Sequence, residues 1–107
     1  MGKIASNAVR DAARGEECTL NIAGVCNYRV DTTVFCHFPD ESNGWGAKSD
    51  DLSGGFGCSA CHDVIDRRNN KVQLTAEDRE FYMRRSMVRT WRRLLQKKVF
   101  TIKGVAA

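Results

Sequence analysis

The segment from Cys58 to Asp66 contains the residues whose types and spacing could carry chemistry. Cys58 and Cys61 are three residues apart, a spacing that lets both thiolates bind one metal ion at about 2.3 Å. The chain then continues to Arg68 without Gly or Pro, which predicts that this knuckle runs directly into a helix. His62 and Asp66 are four residues apart and would share one face of that helix. An imidazole and a carboxylate placed in this way could both reach a second divalent ion.

A second pair of cysteines could complete the first metal site. Cys18 and Cys26 are separated by seven residues, which is too long for a simple knuckle. Residues 19–22 favour a short strand and Gly24 favours a turn back, so the two thiols could still converge. With the downstream pair they predict a four-cysteine site for a structural Zn²⁺. The fifth cysteine, Cys36, is expected to be a small buried residue on a strand.

The composition is that of one small globular domain covering residues 1–107. Lys and Arg number 17 against 13 Asp and Glu, and the net charge of +4 permits nucleic acid as a partner without requiring it. The sequence has no apolar run of about 18 residues and no signal peptide, which predicts a cytoplasmic protein without membrane contact. Thiols stay reduced in that compartment, so the cysteines are expected to bind metal rather than form disulfides.

The segments around these residues predict how the chain positions them. Residues 31–38 are rich in β-branched and aromatic side chains, which predicts a strand that carries His37 near its end and stops at Pro39. Residues 40–57 are rich in Gly, Ser, Asn and Asp, which predicts a loop with a short second strand near residues 55–57. Trp45 in this loop could stack on a base or anchor the loop on the core.

Helices are predicted on both sides of this central part. Ser6 is expected to cap a short helix that runs through Arg14 and ends at Gly15. Thr75 is expected to cap the longest helix, which reaches about residue 98. Residues 99–102 could follow as a terminal strand. The side chains predicted to form an apolar stripe on the long helix, which could pack internally or mediate a homodimer, are Phe81, Val88, Trp91 and Leu95, with Met87 and Leu94 alongside.

Basic residues follow the knuckle and fill the second half of the long helix. From Arg84 to its last residue the chain contains no Asp or Glu. This strip is either a solvated helix face or a surface that binds phosphate. The residues predicted to contact nucleic acid are Arg67, Arg68, Arg84, Arg85 and Arg89.

From about Arg10 to Arg68 the sequence resembles the prophage YbcO-like putative nuclease family. The resemblance rests on AARGEEC, on the Cys-x7-Cys segment that ends in GVC, on the histidine of the predicted strand and on CSACHDVIDRR. A strand ending in His, a glycine-containing loop and a CxxCH helix are also the order of the ββα-metal, HNH or His-Me nuclease finger. The four cysteines are similar to those of the endonuclease VII type of phage resolvase. The resemblance implies a zinc-stabilised α+β finger at about 18–70, with an N-terminal helix and a long basic C-terminal helix at about 75–98.

The resemblance also implies roles for particular residues. His37 would be the general base that activates water against a phosphate, a task that suits a neutral imidazole. His62 and Asp66 match the positions of two ligands of a catalytic ion, Mg²⁺ or Mn²⁺. Asp51 falls where the family's middle Asn usually lies, and there it could orient His37 or brace the loop.

One departure from the family pattern leaves two functions open. Many such fingers have Asp or His before the strand histidine, whereas this chain has Cys36, a poor ligand for Mg²⁺. The ion could then be held by His62, Asp66 and water, or His37 could itself be a ligand, or catalysis could be impaired. The first hypothesis is therefore a phage or prophage HNH-type DNA endonuclease, with branched recombination intermediates as one substrate class. The second is a zinc-stabilised nucleic-acid-binding module without hydrolytic activity, in which His62 packs beside the zinc and Asp66 is an ordinary exposed carboxylate.

Overall fold

A computed structural model describes residues 4–39 and 50–106. Trp45 therefore lies outside the described residues. Among the described residues no helix is both long and apolar enough to cross a membrane. The elements form a small α+β fold, as predicted, in the order α1 (Asn7–Asp11), a 3-10 turn (Val30–Thr32), β1 (Val34–His37), β2 (Gly54–Gly57), α2 (Ser59–Ile65) and α3 (Ala76–Gln96).

The two strands pair antiparallel and connect the two halves of the candidate site. Val34 lies opposite Gly57 and His37 lies opposite Gly54. The pairing continues one step past β1, where the Phe38 N–H donates to the Ser53 carbonyl at 2.8 Å. Because β2 is followed directly by Cys58, the sheet fixes the end of the His37 strand relative to the cysteine knuckle and α2.

The long helix packs on the backbone of β2, and small hydroxyl side chains mediate the contact. Thr90 Oγ1 accepts from the Phe56 N–H at 3.1 Å, and Thr19 Oγ1 donates to the Phe56 carbonyl at 2.9 Å. Ser86 Oγ lies 2.7 Å from Thr19 Oγ1. A Cβ added at Gly55 would overlap Ser86 Oγ. Gly55 therefore allows the helix to approach the strand closely, and the hydroxyls satisfy the polar groups of the strand backbone.

This packing buries only part of the predicted apolar stripe of α3, since Leu94 is fully buried and Met87 packs against the core. Phe81 is 58% exposed and Val88 is 45% exposed. The helix face that is actually buried carries Met83, Ser86, Thr90 and Leu94. Two of these four are polar because they face a glycine-rich strand, which offers backbone groups rather than side chains.

We expect Gly55→Ala to lower the free energy of unfolding by about 1–3 kcal/mol, because the added methyl group overpacks the contact with α3. The measurement is urea unfolding followed by circular dichroism. Ser86→Ala removes the overlapping oxygen, so the double variant should lose less stability than the sum of the two single changes. Strictly additive losses would contradict the close approach.

Three further predicted elements differ from the structure. Residues 19–22 are irregular rather than a strand, since the N–H groups of Thr19 and Leu20 both donate to the Phe56 carbonyl, at 2.8 and 3.3 Å. Residues 99–102 fold back instead of forming a strand, because Lys98 has a left-handed φ of 61° and the Val99 N–H bonds to the Leu94 carbonyl at 2.9 Å. The first helix ends at Asp11 and reaches Gly15 through a turn. The cap predicted for this helix is confirmed, since the Ser6 hydroxyl accepts from the Val9 N–H at 3.3 Å.

Candidate functional site

Four cysteine sulfurs converge between the loop at residues 18–26 and the start of α2. The Sγ atoms of Cys18, Cys26, Cys58 and Cys61 all lie within 4.8 Å of one another. Cys26 Sγ and Cys58 Sγ are 3.9 Å apart, and four thiolates at about 2.3 Å from a tetrahedral ion would be about 3.8 Å apart. The cluster could therefore hold a metal ion, and the convergence predicted from the sequence is confirmed.

Backbone N–H groups point at these sulfurs. The Asn21 N–H donates to Cys18 Sγ, the Ile22 N–H to Cys61 Sγ and the Cys61 N–H to Cys58 Sγ, each at 3.4 Å. The last bond also caps α2, so the knuckle begins the helix as predicted. Such donors stabilise negative charge on sulfur, which is the form that binds metal.

The protein alone would not keep all four thiols ionised. A hydrogen bond from the Cys61 thiol lowers the pKa of Cys18 to about 5. Burial, together with the charges of Cys18 and Cys58, raises the pKa of Cys26 to about 11. One thiolate thus makes ionisation of its neighbours harder, and a bound divalent cation is what would reverse this.

Cys36 lies apart from this chemistry. The side chain is fully buried in the core and belongs to β1, as predicted. Burial raises its pKa strongly, and the charge of Asp66 raises it further. Cys36 is therefore a neutral, apolar core residue.

His37 is paired with a buried carboxylate. Its Nε2 lies 2.6 Å from Asp51 Oδ1, and the side chains of His37 and Asp51 are 29% and 5% exposed. The other oxygen of Asp51 accepts from the Ser6 N–H at 2.5 Å and lies 3.2 Å from Arg10 Nε. Burial alone would raise the pKa of Asp51, but the bonds from Ser6 and His37 and the charge of Arg10 outweigh burial and lower it. The structure thus brings Asp51 to His37, and Asp51 is held in the charged form.

His62 and Asp66 meet on α2, as their spacing predicts. His62 Nε2 lies 3.0 Å from Asp66 Oδ2. Adjacent ligands of an octahedral ion at about 2.1 Å are also about 3.0 Å apart, so these two atoms are spaced as two ligands of one ion would be. Arg68 reaches the same oxygen of Asp66 at 3.3 Å and pairs with Asp63 at 2.9 Å.

The arginines predicted to bind nucleic acid do not form one uniform group. Arg67, Arg68, Arg84 and Arg89 are exposed. Arg85 instead donates to the carbonyls of Leu20 and Asn21, at 2.8 and 3.1 Å, and its guanidinium carbon lies 5.3 and 5.1 Å from the ring centres of Phe81 and Tyr82. Arg85 therefore anchors the loop at residues 18–26 to α3.

Sequence reasoning missed the contacts of Ser6 and Arg10 with Asp51. The sequence predicts a helix cap for Ser6 but no long-range partner for Ser6 or Arg10. Ser6 is 45 positions from Asp51 in the chain, and Arg10 is almost as distant, so no local pattern reports these contacts. The motif AARGEEC begins at Ala12, just past Arg10, and includes neither residue.

Comparison with known proteins places this chain in a family. Residues 7–99 match the family described as "Putative nuclease YbcO". A protein of that name from Escherichia coli strain K12 is 48% identical over 65 residues, which are 60% of this chain and 68% of the relative. Its namesake from Enterobacteria phage 82 matches with the same identity and coverage.

A solved structure extends the similarity to the fold. This structure, of a putative bacteriophage protein from Escherichia coli str. K-12 substr. MG1655, superposes with a TM-score of 0.68 at 37% sequence identity. The superposition covers 85% of this chain and 100% of the other. Since the family match spans most of the described fold, including both histidines and all four clustered cysteines, this chain belongs to the YbcO family.

Proposed function

We propose that this protein is a metal-dependent DNA endonuclease of HNH type, with one nuclease domain over residues 1–107. The observation that carries the proposal is the bond of 2.6 Å between His37 and the buried carboxylate of Asp51. A histidine at a strand end that is held by a charged acid, and remains partly exposed, is equipped to take a proton. The YbcO relatives, both named putative nucleases, support a nuclease.

His37 acts as the general base in this proposal. It removes a proton from the water that attacks the phosphorus atom, while the bond from phosphorus to the leaving oxygen breaks. The negative charge of Asp51 stabilises the imidazolium that forms and fixes the orientation of the ring. Asp51 is thus the residue that orients His37.

The helical pair is assigned to the catalytic divalent ion. His62 and Asp66 would hold Mg²⁺ or Mn²⁺ with water completing the coordination, and Cys36 takes no part because it is a buried neutral thiol. When bound, such an ion stabilises charge on the phosphate and on the leaving oxygen. Arg68 forms an ion pair with Asp66, and its guanidinium could contact a neighbouring phosphate from this position.

The cysteine cluster is assigned to a structural Zn²⁺. Four cysteine ligands with no site left for water are typical of structural rather than catalytic zinc. The ion would join the loop at residues 18–26 to the start of α2. Because His62 follows Cys61 directly, this scaffold sets the position of the catalytic pair.

DNA is the proposed partner, through exposed arginines. Arg67 and Arg68 follow α2, and Arg84 and Arg89 lie on α3. Their charges would contact phosphates without reading sequence. Branched recombination intermediates are one proposed substrate class, and a homodimer through the exposed Phe81 and Val88 remains a prediction.

The test is cleavage of supercoiled plasmid and of four-way branched DNA by zinc-loaded protein with added Mg²⁺ or Mn²⁺. We expect His62→Ala and Asp66→Ala to raise the half-saturating metal concentration by at least about 10-fold, because each change removes a ligand. High metal should partly restore cleavage. Zinc content and far-UV circular dichroism should stay unchanged.

Asp63→Ala is the matched control, since it deletes an exposed carboxylate from the same helix and also affects Arg68. This variant should respond to metal like the wild type. An unaltered metal response in both His62→Ala and Asp66→Ala would place the catalytic ion elsewhere.

The second candidate is a zinc-stabilised nucleic-acid-binding module without hydrolysis. The observation in its favour is Cys36, a buried thiol where many such fingers carry an acidic or histidine ligand. Binding of branched DNA by a wild type that cuts no DNA with either ion would establish this candidate instead.

A further inference from the structure

The N-terminal segment of the chain is fastened to the residues around Asp51. The Ile4 N–H donates to Asp50 Oδ1 at 2.9 Å, and the Asp51 N–H donates to the Ile4 carbonyl at 2.9 Å. The Ser6 N–H donates to Asp51 Oδ2 at 2.5 Å. Residues 4–10, here named the N-terminal strap, therefore hold both the backbone and the side chain of Asp51.

Arg10 completes the strap. Its Nε lies 3.2 Å from Asp51 Oδ2. The same guanidinium donates to Asn7 Oδ1 at 2.8 Å and to the Ser6 carbonyl at 3.4 Å. Since these partners lie within one turn of α1, the charge of Arg10 is held in place beside the carboxylate.

The two oxygens of Asp51 consequently have separate tasks. Oδ2 is occupied by Ser6 and Arg10, which leaves Oδ1 for His37 Nε2. An ionised carboxylate can only accept hydrogen bonds, so the proton in the bond to His37 must lie on Nε2. A neutral imidazole then has its free lone pair on Nδ1.

We propose that Arg10 is a positioning residue that, through Asp51, holds neutral His37 in the Nε2–H tautomer and leaves Nδ1 as the nitrogen that accepts the proton. The role of Nδ1 rests on the proposed function, whereas the tautomer does not. The burial of Asp51 supports the assignment, because a carboxylate with a side chain only 5% exposed needs charged partners. Arg10, whose side chain is 45% exposed, is the cation beside Oδ2 of Asp51.

The tautomer can be measured directly by long-range ¹H–¹⁵N spectroscopy of the histidine rings at about pH 8, where an ordinary imidazole is neutral. The chain has two histidines, so His62→Gln assigns the signals. We expect His37 to be Nε2–H in the wild type and to become a mixture of tautomers in Arg10→Ala. Arg10→Lys, which keeps the charge, should retain more of the Nε2–H form than Arg10→Gln.

Cleavage provides the second readout. With zinc-loaded protein, we expect Arg10→Ala to lower kcat roughly 10- to 100-fold, by analogy with the outer hydrogen-bond partners of metal-bound histidines. KM should be unchanged, because Arg10 acts through Asp51 rather than on DNA. Arg14→Ala is the matched control, since it removes the same charge from an exposed position just beyond α1, and it should leave the tautomer and kcat unaltered.

The outcomes separate this inference from the proposed function. An Nδ1–H tautomer in the wild type overturns the inference, as does an unchanged His37 tautomer in Arg10→Ala and Arg10→Gln. A rise in KM with steeper loss at high salt and unchanged kcat also overturns it, because Arg10 would then be a phosphate contact. If the wild type cuts no DNA but the tautomer shifts as expected, the positioning role stands and the nuclease proposal fails.

Discussion

Replacing Cys58 by serine should abolish binding of the proposed structural zinc ion and leave the protein unfolded or aggregated at room temperature. Cys58 is fully buried, and its sulfur both belongs to the cluster and caps α2. Structural zinc contributes on the order of 10 kcal/mol to small domains, which is comparable with the entire stability of an ordinary domain, about 5–15 kcal/mol. Metal analysis should find one zinc ion per wild-type chain and none in the variant, and circular dichroism should show the loss of helix.

Cys36→Ala is the control that distinguishes loss of a ligand from loss of a buried thiol. Cys36 is as fully buried as Cys58 but lies on β1 outside the cluster. This variant should keep one zinc ion and lose only the stability of a small cavity. Zinc retained in Cys58→Ser, or lost in Cys36→Ala, would show that the proposed ligand set is wrong. Chelation of the wild type should reproduce the unfolding of Cys58→Ser.

The sequence was sufficient where short-range chemistry decides the structure. Two cysteines three apart followed by an uninterrupted helical segment predicted α2, and the four-residue spacing predicted the contact of His62 with Asp66. A run of β-branched and aromatic residues predicted β1 and placed His37 at its end. In each case the backbone bonds and side-chain directions involve residues within a few positions of one another.

The sequence was insufficient where contacts between two distant segments determine the local structure and which residues are buried. The buried face of α3 contains Ser86 and Thr90 because it packs against Gly55 and the backbone of Phe56. The spacing of apolar residues along α3 cannot predict this buried face, because the strand that packs against it has almost no side chains. Residues 19–22 have the composition of a strand, but their N–H groups cap β2 instead of extending the sheet.

The candidate base depends on the same kind of long-range contact. Only the resemblance to a family predicts Asp51 near His37, and nothing in the sequence predicts the strap that holds Asp51. The carboxylate is stabilised by Ser6 and Arg10, which are far from Asp51 in the sequence. Local sequence preferences predict that α1 is a short capped helix. They do not predict that α1 packs beside Asp51, which links this helix to the candidate base.

His37→Ala should reduce cleavage by about 10²- to 10⁴-fold, the usual contribution of a positioned general base. The fold should survive, because the His37 side chain is 29% exposed and Asp51 keeps its hydrogen bond from Ser6 and its ion pair with Arg10. Zinc content should stay at one ion per chain, since His37 lies outside the cysteine cluster. The measurement is single-turnover cleavage of plasmid at saturating Mg²⁺ or Mn²⁺.

Two comparisons make this loss specific to proton transfer. The half-saturating metal concentration should be unchanged in His37→Ala but raised in His62→Ala, because only the second variant removes a proposed ligand of the ion. Added imidazole should restore part of the rate to His37→Ala and none to His62→Ala, since a free base can replace a missing base more readily than a missing ligand on α2. If His37→Ala cuts as fast as the wild type, His37 is not the base, and the bond of 2.6 Å to Asp51 serves only to brace the end of β1. If imidazole restores nothing and the metal response weakens instead, His37 is itself a ligand of the ion, and the base must be sought on another residue.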